Sequence, residues 1–368
     1  MLKYFCMVNV VICVSLSSVT EVHRDAATTG QMLQLVRVAR GLTQAELAGE
    51  ARVSQAVLSK AESGVIELDD ARLAQVAAAL GVPVARLTTS EPAGGVLSAC
   101  AFHRKRNSLP VSDAKRIRAN LDLRRMQVEA MLPVEVAGVR VPRKAPSEDG
   151  WDGPEDIALE VREAMGLGNG PVDDLVAAVE ALGAVVVVTD LEAARIDAIG
   201  SWPQGHRPVF MVNSRTPADR RRFTLAHELG HAVMHTLPTT DQEKEADRFA
   251  SELLMPSNSI RSELAGLDLP KLVTLKPKWG VSMAALVRKA RDVGAITEHD
   301  YKQLNIALST AGYRTSEPVS LHEEFPRLVD QTVRRRLKHG ELVQQLADQA
   351  LMTVDEFSAI YLKAHHDQ

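Results

Sequence analysis

The run His227-Glu228-Leu229-Gly230-His231 constrains this chain more than any other stretch, because histidines four residues apart lie on one face of an α-helix, where both can bind one metal ion. Their Cβ atoms then stand about 6 Å apart on one face of the helix. Glu228 lies near the same face, and in this motif the glutamate is a general base rather than a ligand. The motif therefore predicts a helix that binds Zn²⁺ through His227 and His231 and uses Glu228 for catalysis.

A site that acts on a substrate needs a third protein ligand and an open fourth position. Glu243 and Asp247 are again four residues apart and follow a turn at Pro238, on a helix predicted to pack antiparallel to the first. Glu243 is the predicted third ligand, and Asp247 is the predicted carboxylate that holds the outer nitrogen of a ligand histidine. His235 lies about 12 Å along the helix from His227, so it is predicted to support the site from outside or to pack at the helix end.

Three assignments around this site stay open. No residue is assigned to stabilise an oxyanion; His206 and the arginines of residues 220–222 are candidates, although packing or surface roles are favoured for them. Glu245 and Glu252 are predicted to lie on the solvated surface of their helix. A purely structural zinc is disfavoured, because such sites are closed by four ligands, usually with cysteine, and no cysteine lies nearby.

A second pattern, between residues 43 and 64, predicts two short helices on either side of a tight break. Thr43 and Glu46 form a capping box that starts the first helix. After a break at residues 52–53, Ser54 caps the second helix, which ends before a glycine. This is the geometry of a helix-turn-helix, in which the second helix enters the major groove of DNA. An ordinary helical bundle with no DNA role is the alternative.

The second of these helices presents small and polar residues that suit base edges. Gln55 suits an adenine edge, Ala56 a thymine methyl group, and Lys60 a guanine or a phosphate. Gln44, at the start of the first helix, is predicted to hold a phosphate. Six residues are therefore predicted to contact DNA: Gln44, Ser54, Gln55, Ala56, Ser59 and Lys60.

Together with the run Ala77-Ala78-Ala79-Leu80-Gly81-Val82, this pattern resembles the Xre/Cro-repressor family of helix-turn-helix domains over residues 30–87. Arg52 stands where that family usually has glycine, and a positive φ at this position costs about 1 kcal/mol. One such domain reads one half-site, so we expect a homodimer on a palindromic operator.

Residues 222–231, followed by the spacing Glu243-x-x-Ala246-Asp247-x-Phe249 and by residues 253–256, are similar to the ImmA/IrrE family of metallopeptidases. The similarity covers residues 154–256. It implies a gluzincin-like zinc peptidase that cuts or inactivates a repressor. Fusion to an Xre-type domain resembles a known regulator architecture.

Three short β-rich runs, at residues 184–189, 196–202 and 208–213, interrupt the helical patterns and predict one small sheet. Thr216 is predicted to cap the next helix, with Pro217 at its first position. The predicted fold is multidomain, with an all-α helix-turn-helix domain followed by an α+β zincin-like domain with a small sheet and a helical C-terminal region. No internal repeat is visible.

Five segments are predicted from these patterns. They are an apolar N-terminal extension (1–28), the helix-turn-helix domain (29–90), a basic helix and linker (91–153), the metallopeptidase domain (154–258) and the helical C-terminal region (259–368).

Charge is distributed unevenly along a chain whose net charge is only −4. Residues 102–145 carry 11 Lys/Arg against 4 Asp/Glu, net +7, and residues 146–200 carry 2 against 13, net −11. The basic segment includes a predicted helix at residues 112–132 that can add contacts to DNA phosphates. Ordinary solvated helix faces are the equally favoured alternative.

Residues 1–19 are apolar with one lysine, as in a signal peptide or a short membrane anchor. No cleavage site is convincing, the stretch is marginal for a membrane span, and a DNA-reading pattern follows almost at once. An over-long start, with Met32 or an upstream codon as the true start, is favoured over an anchor. Cys6, Cys13 and Cys100 have neither metal-ligand nor disulfide spacing, which favours a reducing cytoplasm.

Residues 272–291 repeat the order of helix, break and serine cap, with Ser282 in the place of Ser54. A second DNA-binding module is one interpretation. A helical pair that packs on the peptidase and shapes its cleft is the favoured one.

These patterns together predict a cytoplasmic transcriptional regulator that binds double-stranded DNA and carries a zinc-dependent peptidase, with a protein substrate or repressor as a further partner and no membrane. The alternative is a transcription factor whose zinc domain senses a ligand or partner without cutting it. Both hypotheses are open at this point.

Overall fold

The computed structural model describes residues 25–89, 110–132, 138–147, 151–191, 196–236 and 239–362. The apolar start of the chain and all three cysteines lie outside these residues. No helix among the described residues is long and apolar enough to cross a membrane.

The first described segment folds into an all-α unit, as predicted. Its helices are α1 (Ala26–Ala39), α2 (Gln44–Glu50), α3 (Gln55–Glu62), α4 (Asp70–Leu80) and α5 (Val84–Leu87). The capping box of Thr43 and Glu46 opens α2, and the Ser54 hydroxyl accepts a hydrogen bond from the backbone N–H of Val57 at the start of α3. Arg52 has φ +56°, so the break takes the left-handed conformation that glycine favours.

The unit closes over its own buried cluster, which includes Met32, Leu33, Leu47, Leu58 and Leu73. These side chains recur at helical spacing, which is why short helices of ordinary propensity are stable here.

The long helix α6 (Val111–Met131) lies where a basic helix is predicted at residues 112–132. It packs along α1 and contributes Met126 to the N-terminal cluster, while Ile117, Leu121 and Val128 enter a second cluster beneath the sheet. Three of its arginines are engaged within the protein: Arg118 with Asp122, Arg124 with the Tyr361 hydroxyl, and Arg125 with Glu129.

The segment after α6 is also packed where the sequence predicts a linker. The backbone N–H of Arg140 donates to the Leu182 carbonyl (2.8 Å), and that of Lys144 donates to the Val233 carbonyl (3.0 Å). Val141 is buried with the following domain. Residues 138–147 are therefore attached to that domain along most of their length.

A small mixed sheet follows, as predicted. Two helices precede it, α7 (Pro154–Ala164) and α8 (Leu175–Ala181), and its strands are β1 (Val185–Thr189), β2 (Ala198–Ser201) and β3 (Val209–Asn213). The order is β1-β3-β2, with β3 parallel to β1 and antiparallel to β2. One face of the sheet packs on helices α7 to α9, and the other packs on α6 and the C-terminal helices.

The helices after the sheet are α9 (Ala218–Met234), α10 (Gln242–Leu254), α11 (Ser257–Ile260), α12 (Leu269–Trp279), α13 (Met283–Asp292) and α14 (Glu298–Thr310). Thr216 does not cap α9, contrary to the prediction: Pro217 holds the cap position and the helix begins at Ala218. Such shifts of one residue are common at helix ends.

Helices α12 and α13 have the predicted break, with Gly280 at φ +65° and a Ser282 cap. Met283, Leu286 and Val287 of α13 are buried in the same cluster as α9 and α10. The pair therefore packs on the domain that carries the two histidines, in agreement with the favoured interpretation. The predicted boundary at residue 258 runs through this shared cluster.

The last described helices are α15 (Leu328–Lys338), α16 (Val343–Gln349) and α17 (Val354–Phe357), continued by a π-helical turn at Ser358–Leu362. Val333, Leu346, Met352 and Phe357 pack with α6 against the second face of the sheet. The C-terminal region is helical, as predicted.

Candidate metal centre and nucleic-acid interface

Helices α9 and α10 lie side by side and bring the predicted metal residues together. Gly230 permits this close approach, because a Cβ atom built on it would stand 2.8 Å from the Phe249 ring of α10. Any side chain at position 230 would push α10 away from the two histidines.

Three donor groups converge between the helices. The Nε2 atoms of His227 and His231 are 3.0 Å apart, and the two carboxylate oxygens of Glu243 lie 3.6 Å and 3.5 Å from them. All three donor atoms lie within 4.8 Å of one another, so this cluster can hold a metal ion. The histidines are 1% exposed, while the Glu243 side chain is 45% exposed, so solvent reaches the site from the side of Glu243.

Each histidine is held from behind by a second polar group. Asp247 Oδ1 lies 2.9 Å from His227 Nδ1, which is the contact the sequence predicts. His235 Nδ1 lies 3.0 Å from His231 Nδ1, and His235 Nε2 lies 2.9 Å from Glu245 Oε2. His235 therefore supports the site from outside, and Glu245 is part of that support rather than a surface residue, contrary to the prediction.

Glu252 is also buried, contrary to the prediction. It is 3% exposed, pairs with Lys289 of α13 at 2.6 Å and accepts a hydrogen bond from the backbone N–H of Ser257. The sequence signal was Lys289 itself, which lies beside the apolar positions Val287 and Ala290 of an amphipathic helix.

The electrostatics of the metal cluster reflect this geometry. Burial alone lowers the pKa of His227, but the nearby carboxylates of Asp247, Glu243 and Glu228 outweigh it and raise the pKa to about 9. Burial lowers the pKa of His231 to about 4, since Glu243 only partly opposes it. The imidazoles of His227 and His231 hold the pKa of Glu243 far below its usual range. The carboxylates around His227 therefore favour the charged form of its ring.

Glu228, the predicted general base, is 2% exposed and faces the sheet. A Cβ atom built on Gly200 of β2 would stand 3.4 Å from Glu228 Oε2. The Phe210 ring would be nearer to that Cβ atom, at 2.9 Å, so glycine at this position mainly makes room for the ring.

The oxyanion candidates are engaged elsewhere. His206 is exposed and its Nδ1 lies 3.0 Å from Glu129 Oε2. Arg220 pairs with Asp197, Arg221 with Glu323 and Arg222 with Glu324. No oxyanion stabiliser is assigned among them.

A cleft of 1360 Å³ opens beside the site, and sequence reasoning missed one of its walls. Asp247 and Phe223 lie in its lining on one side, and residues 315–317 of the extended segment after α14 lie on the other. Buried Lys276 anchors this segment, because its ammonium group contacts both Asp219 and Glu317. The available signal was the position of Lys276, which lies among the apolar residues Leu272, Leu275 and Trp279 of α12.

The predicted DNA-facing residues lie on one exposed surface of the N-terminal unit, with one difference. Ser54, Gln55, Ala56, Ser59 and Lys60 are exposed. The side-chain amide of Gln44 instead donates to Glu62 (2.7 Å), which forms a buried ion pair with Arg37 (2.5 Å). Gln44 thus completes a polar cluster that joins α1, α2 and α3.

Comparison with known families agrees with both parts of the chain. A family model described as helix-turn-helix matches residues 33–87, and a peptidase family model described as IrrE N-terminal-like domain matches residues 179–291. No curated protein matches the chain. The chain joins a helix-turn-helix domain to an IrrE-like domain, which confirms the two resemblances drawn from its motifs.

Proposed function

We propose that this protein is a DNA-binding transcriptional regulator whose IrrE-like domain is a zinc-dependent peptidase. The observation that carries the proposal is the convergence of His227, His231 and Glu243 on one point, with Asp247 behind His227. Two imidazole nitrogens and one carboxylate are the donor set of catalytic zinc sites, which leave the fourth position open.

The donor set fits Zn²⁺ better than the alternatives. Nitrogen ligands select zinc over magnesium or calcium, which prefer oxygen atoms only. A Zn²⁺ ion on these residues would act as a Lewis acid, polarising a peptide carbonyl and lowering the pKa of an attacking water to about 7.

The residues of the chain supply the remaining chemistry. Glu228 is the proposed base, which takes a proton from the attacking water and returns it to the leaving amine. Asp247 fixes the ring of His227 through Nδ1, so that Nε2 faces the centre of the site. His235 does the same for His231, and Glu245 holds His235 in turn.

The N-terminal domain is the proposed DNA reader. Its exposed residues Gln55, Ala56 and Ser59 face the bases of one half-site, Ser54 caps their helix, and Lys60 contacts a guanine or a phosphate. Under this proposal the protein works in the cytoplasm on double-stranded DNA, as a homodimer on a palindromic operator. Cutting a protein partner such as a repressor would change transcription of the neighbouring gene.

The test compares wild type with Glu228→Gln, using Glu160→Gln on the exposed face of α7 as the matched control. We expect all three full-length proteins to bind about one Zn²⁺. Wild type and Glu160→Gln should hydrolyse members of a quenched fluorescent peptide library, and Glu228→Gln should lose activity by at least about 100-fold.

A promoter reporter and an immunoblot for fragments extend the test to cells. Loss of induction in Glu228→Gln, with fragments seen only in wild type, supports peptidase-dependent regulation. Normal induction by Glu228→Gln with no fragment in either strain would leave a zinc-containing transcription factor that senses without cutting.

A further inference from the structure

The C-terminal helices repeat the backbone of the DNA-binding unit. Residues 328–357 follow the conformation of residues 29–58, with each position 299 residues after its counterpart. Both runs consist of a helix, a glycine turn, a seven-residue helix, a tight break and another helix. Gly41 and Gly340 occupy the same turn with φ +73° and +93°. This corrects the expectation that the chain has no internal repeat.

The tight breaks agree in detail. Arg52 and Leu351 are the non-glycine residues with positive φ among the described residues, at +56° and +53°. In the first unit the backbone N–H of Val53 donates to the Ala48 carbonyl (3.0 Å). In the second the N–H of Met352 makes the equivalent bond to its own helix (2.8 Å). Such strained positions persist only where the surrounding fold imposes them.

The buried positions agree as well. The four inward residues of the first unit, Leu47, Ala48, Ala51 and Leu58, correspond to Leu346, Ala347, Ala350 and Phe357, and all eight are buried. The capping interaction is also kept, since the Leu342 N–H donates to Gln345 Oε1 as the Thr43 N–H donates to Glu46 Oε2. Residues 328–357 are therefore a helix-turn-helix by their backbone and core.

The outward positions have changed their chemistry. Leu342, Val343, Val354, Asp355, Glu356 and Ala359 stand where the first unit has Thr43, Gln44, Gln55, Ala56, Val57 and Lys60. The replacements remove hydrogen-bond donors and the lysine, and they add two carboxylates that DNA phosphates repel. The second unit shares the fold of the first, but most of its surface residues differ from those proposed to read DNA; Thr353 and Ser358 still supply hydroxyl groups where the first unit has Ser54 and Ser59.

The altered unit contacts the first unit of the same chain. The Arg86 guanidinium of α5, only 2% exposed, donates to the carbonyls of Ala350 and Leu351 at the tight break. Glu356 lies 3.4 Å from Arg40, at the end of α1. One contact involves the backbone of the second unit, and the other involves a carboxylate at the position that corresponds to Val57, which packs partly against the core of the first unit.

We infer that residues 328–357 are a second helix-turn-helix unit that binds the first unit instead of DNA and holds Arg40 through Glu356. In helix-turn-helix complexes the first helix of the motif crosses the DNA backbone. Arg40 lies three residues before Thr43, which opens that helix, and its side chain is 41% exposed. The Glu356 carboxylate therefore competes with a DNA phosphate for Arg40. This consequence rests on the proposed DNA binding by the first unit.

The docking is tested without DNA by a zero-length carbodiimide cross-link in full-length Arg40→Lys. We expect mass spectrometry to find Lys at position 40 coupled to Glu356, and the coupling to survive Asp355→Asn but not Glu356→Gln. The exposed pair Lys144 and Glu160, 2.5 Å apart, is the internal positive control. Coupling of the control pair without coupling at Glu356 would overturn the docking.

The competition is tested on duplexes that wild type enriches from a random-sequence library. Glu356→Gln should bind them about threefold more tightly, the size expected when one partly exposed ion pair no longer competes. It should also have a steeper salt dependence, because one more phosphate contact forms. Asp355→Asn removes the same charge one residue away and should stay close to wild type. In an Arg40→Gln background the substitution at 356 should have no effect.

The proposed DNA binding and the competition for Arg40 can be shown wrong by different results. If wild type enriches no sequence, the proposed DNA reading is wrong, and the cross-link alone decides the docking. If wild type binds but Glu356→Gln and Asp355→Asn shift affinity equally, the effect is general electrostatics and the competition for Arg40 is wrong.

Discussion

The helix proposed to read DNA and the helix that carries the two proposed metal-binding histidines differ in how far their side chains are exposed. On α3 the side chains proposed to contact DNA are exposed and need only a stable helix beneath them. On α9 both histidines are 1% exposed, and their chemistry depends on groups that α10 supplies. Exposed sites can therefore change residue by residue, whereas the buried site must be built and kept as a unit.

The largest expected effect comes from substitutions that remove proposed metal ligands on α9 and α10 and leave the exposed surface of α3 unchanged. His231→Ala or Glu243→Ala should lower zinc affinity more than about 100-fold, and Asp247→Asn by about 10- to 100-fold. Equilibrium dialysis with metal analysis measures this, and Lys60→Ala on α3 should bind zinc as wild type does. If Glu243→Ala retains zinc fully, another residue is the third ligand, and Asp247 and His235 are the next candidates.

Removing a buried charge should cost far more than removing an exposed one. Lys276→Met leaves the carboxylates of Asp219 and Glu317 without their shared cation, and we expect the free energy of unfolding to fall by about 3–5 kcal/mol. Lys60→Met should change it by less than about 0.5 kcal/mol. Urea unfolding of both variants checks the contrast, and equal costs would contradict it.

The stability of the buried region should depend on pH through Glu180 of α8. Burial raises the pKa of Glu180 from 4.5 to about 7, against the opposing backbone N–H groups of Arg327 and Leu328. The folded state then holds this proton more tightly than the unfolded state. Its contribution is therefore fully present below pH 4.5 and is lost as the pH rises to about 7.

The expected size of this loss is at most about 3 kcal/mol. Glu180→Gln should remove that part of the pH dependence, measured by urea unfolding across the range. An unchanged pH profile in Glu180→Gln would show that the carboxyl titrates normally.

On the exposed side, Gln55→Ala should weaken binding to the selected DNA site by about 1–3 kcal/mol and leave stability unchanged. Lys60→Met should weaken binding to all sequences alike and lower the salt slope by about one, if the lysine contacts a phosphate. Titration at several salt concentrations separates the two. A loss of folding stability in Gln55→Ala would contradict the comparison between exposed and buried sites.

The smallest expected effect lies at the break between α2 and α3. Arg52→Gly should stabilise the protein by about 1 kcal/mol or less, because glycine adopts the positive φ without strain. Arg335→Gly, the same change inside α15, should instead destabilise by about 1 kcal/mol. Thermal unfolding distinguishes the signs, and destabilisation by Arg52→Gly would show that its side chain contributes more than the strain costs.

The sequence correctly predicted features that depend on residues close together in the chain. The capping box, the break at Arg52 and the three strands depend on residues within a few positions of one another, and the structure has all of them. The four residues predicted for the metal site lie close together in the structure, and spacing predicted this because the i and i+4 rule holds on each helix separately. Their assigned roles stay predictions.

Long-range packing was not predictable in the same way. Glu252 is buried because Lys289, 37 residues later, meets it. Helix α6 was predicted as a helix, but its packing was not, because its hydrophobic positions contact α1, the sheet and the C-terminal helices and show no single apolar face. The repeat escaped notice because it is conserved mainly at buried positions, while the outward residues differ.

Arg86 and Ala350, which are joined by a hydrogen bond, are 264 residues apart in the sequence. The two units that they join are therefore synthesised at different times. A ribosome adding about 5–20 residues per second needs tens of seconds to reach the second unit after the first has emerged. The first unit buries its own core, apart from Met126, from residues before 88. A nascent or prematurely terminated chain therefore presents the folded surface proposed to read DNA before the part that holds Arg40 exists.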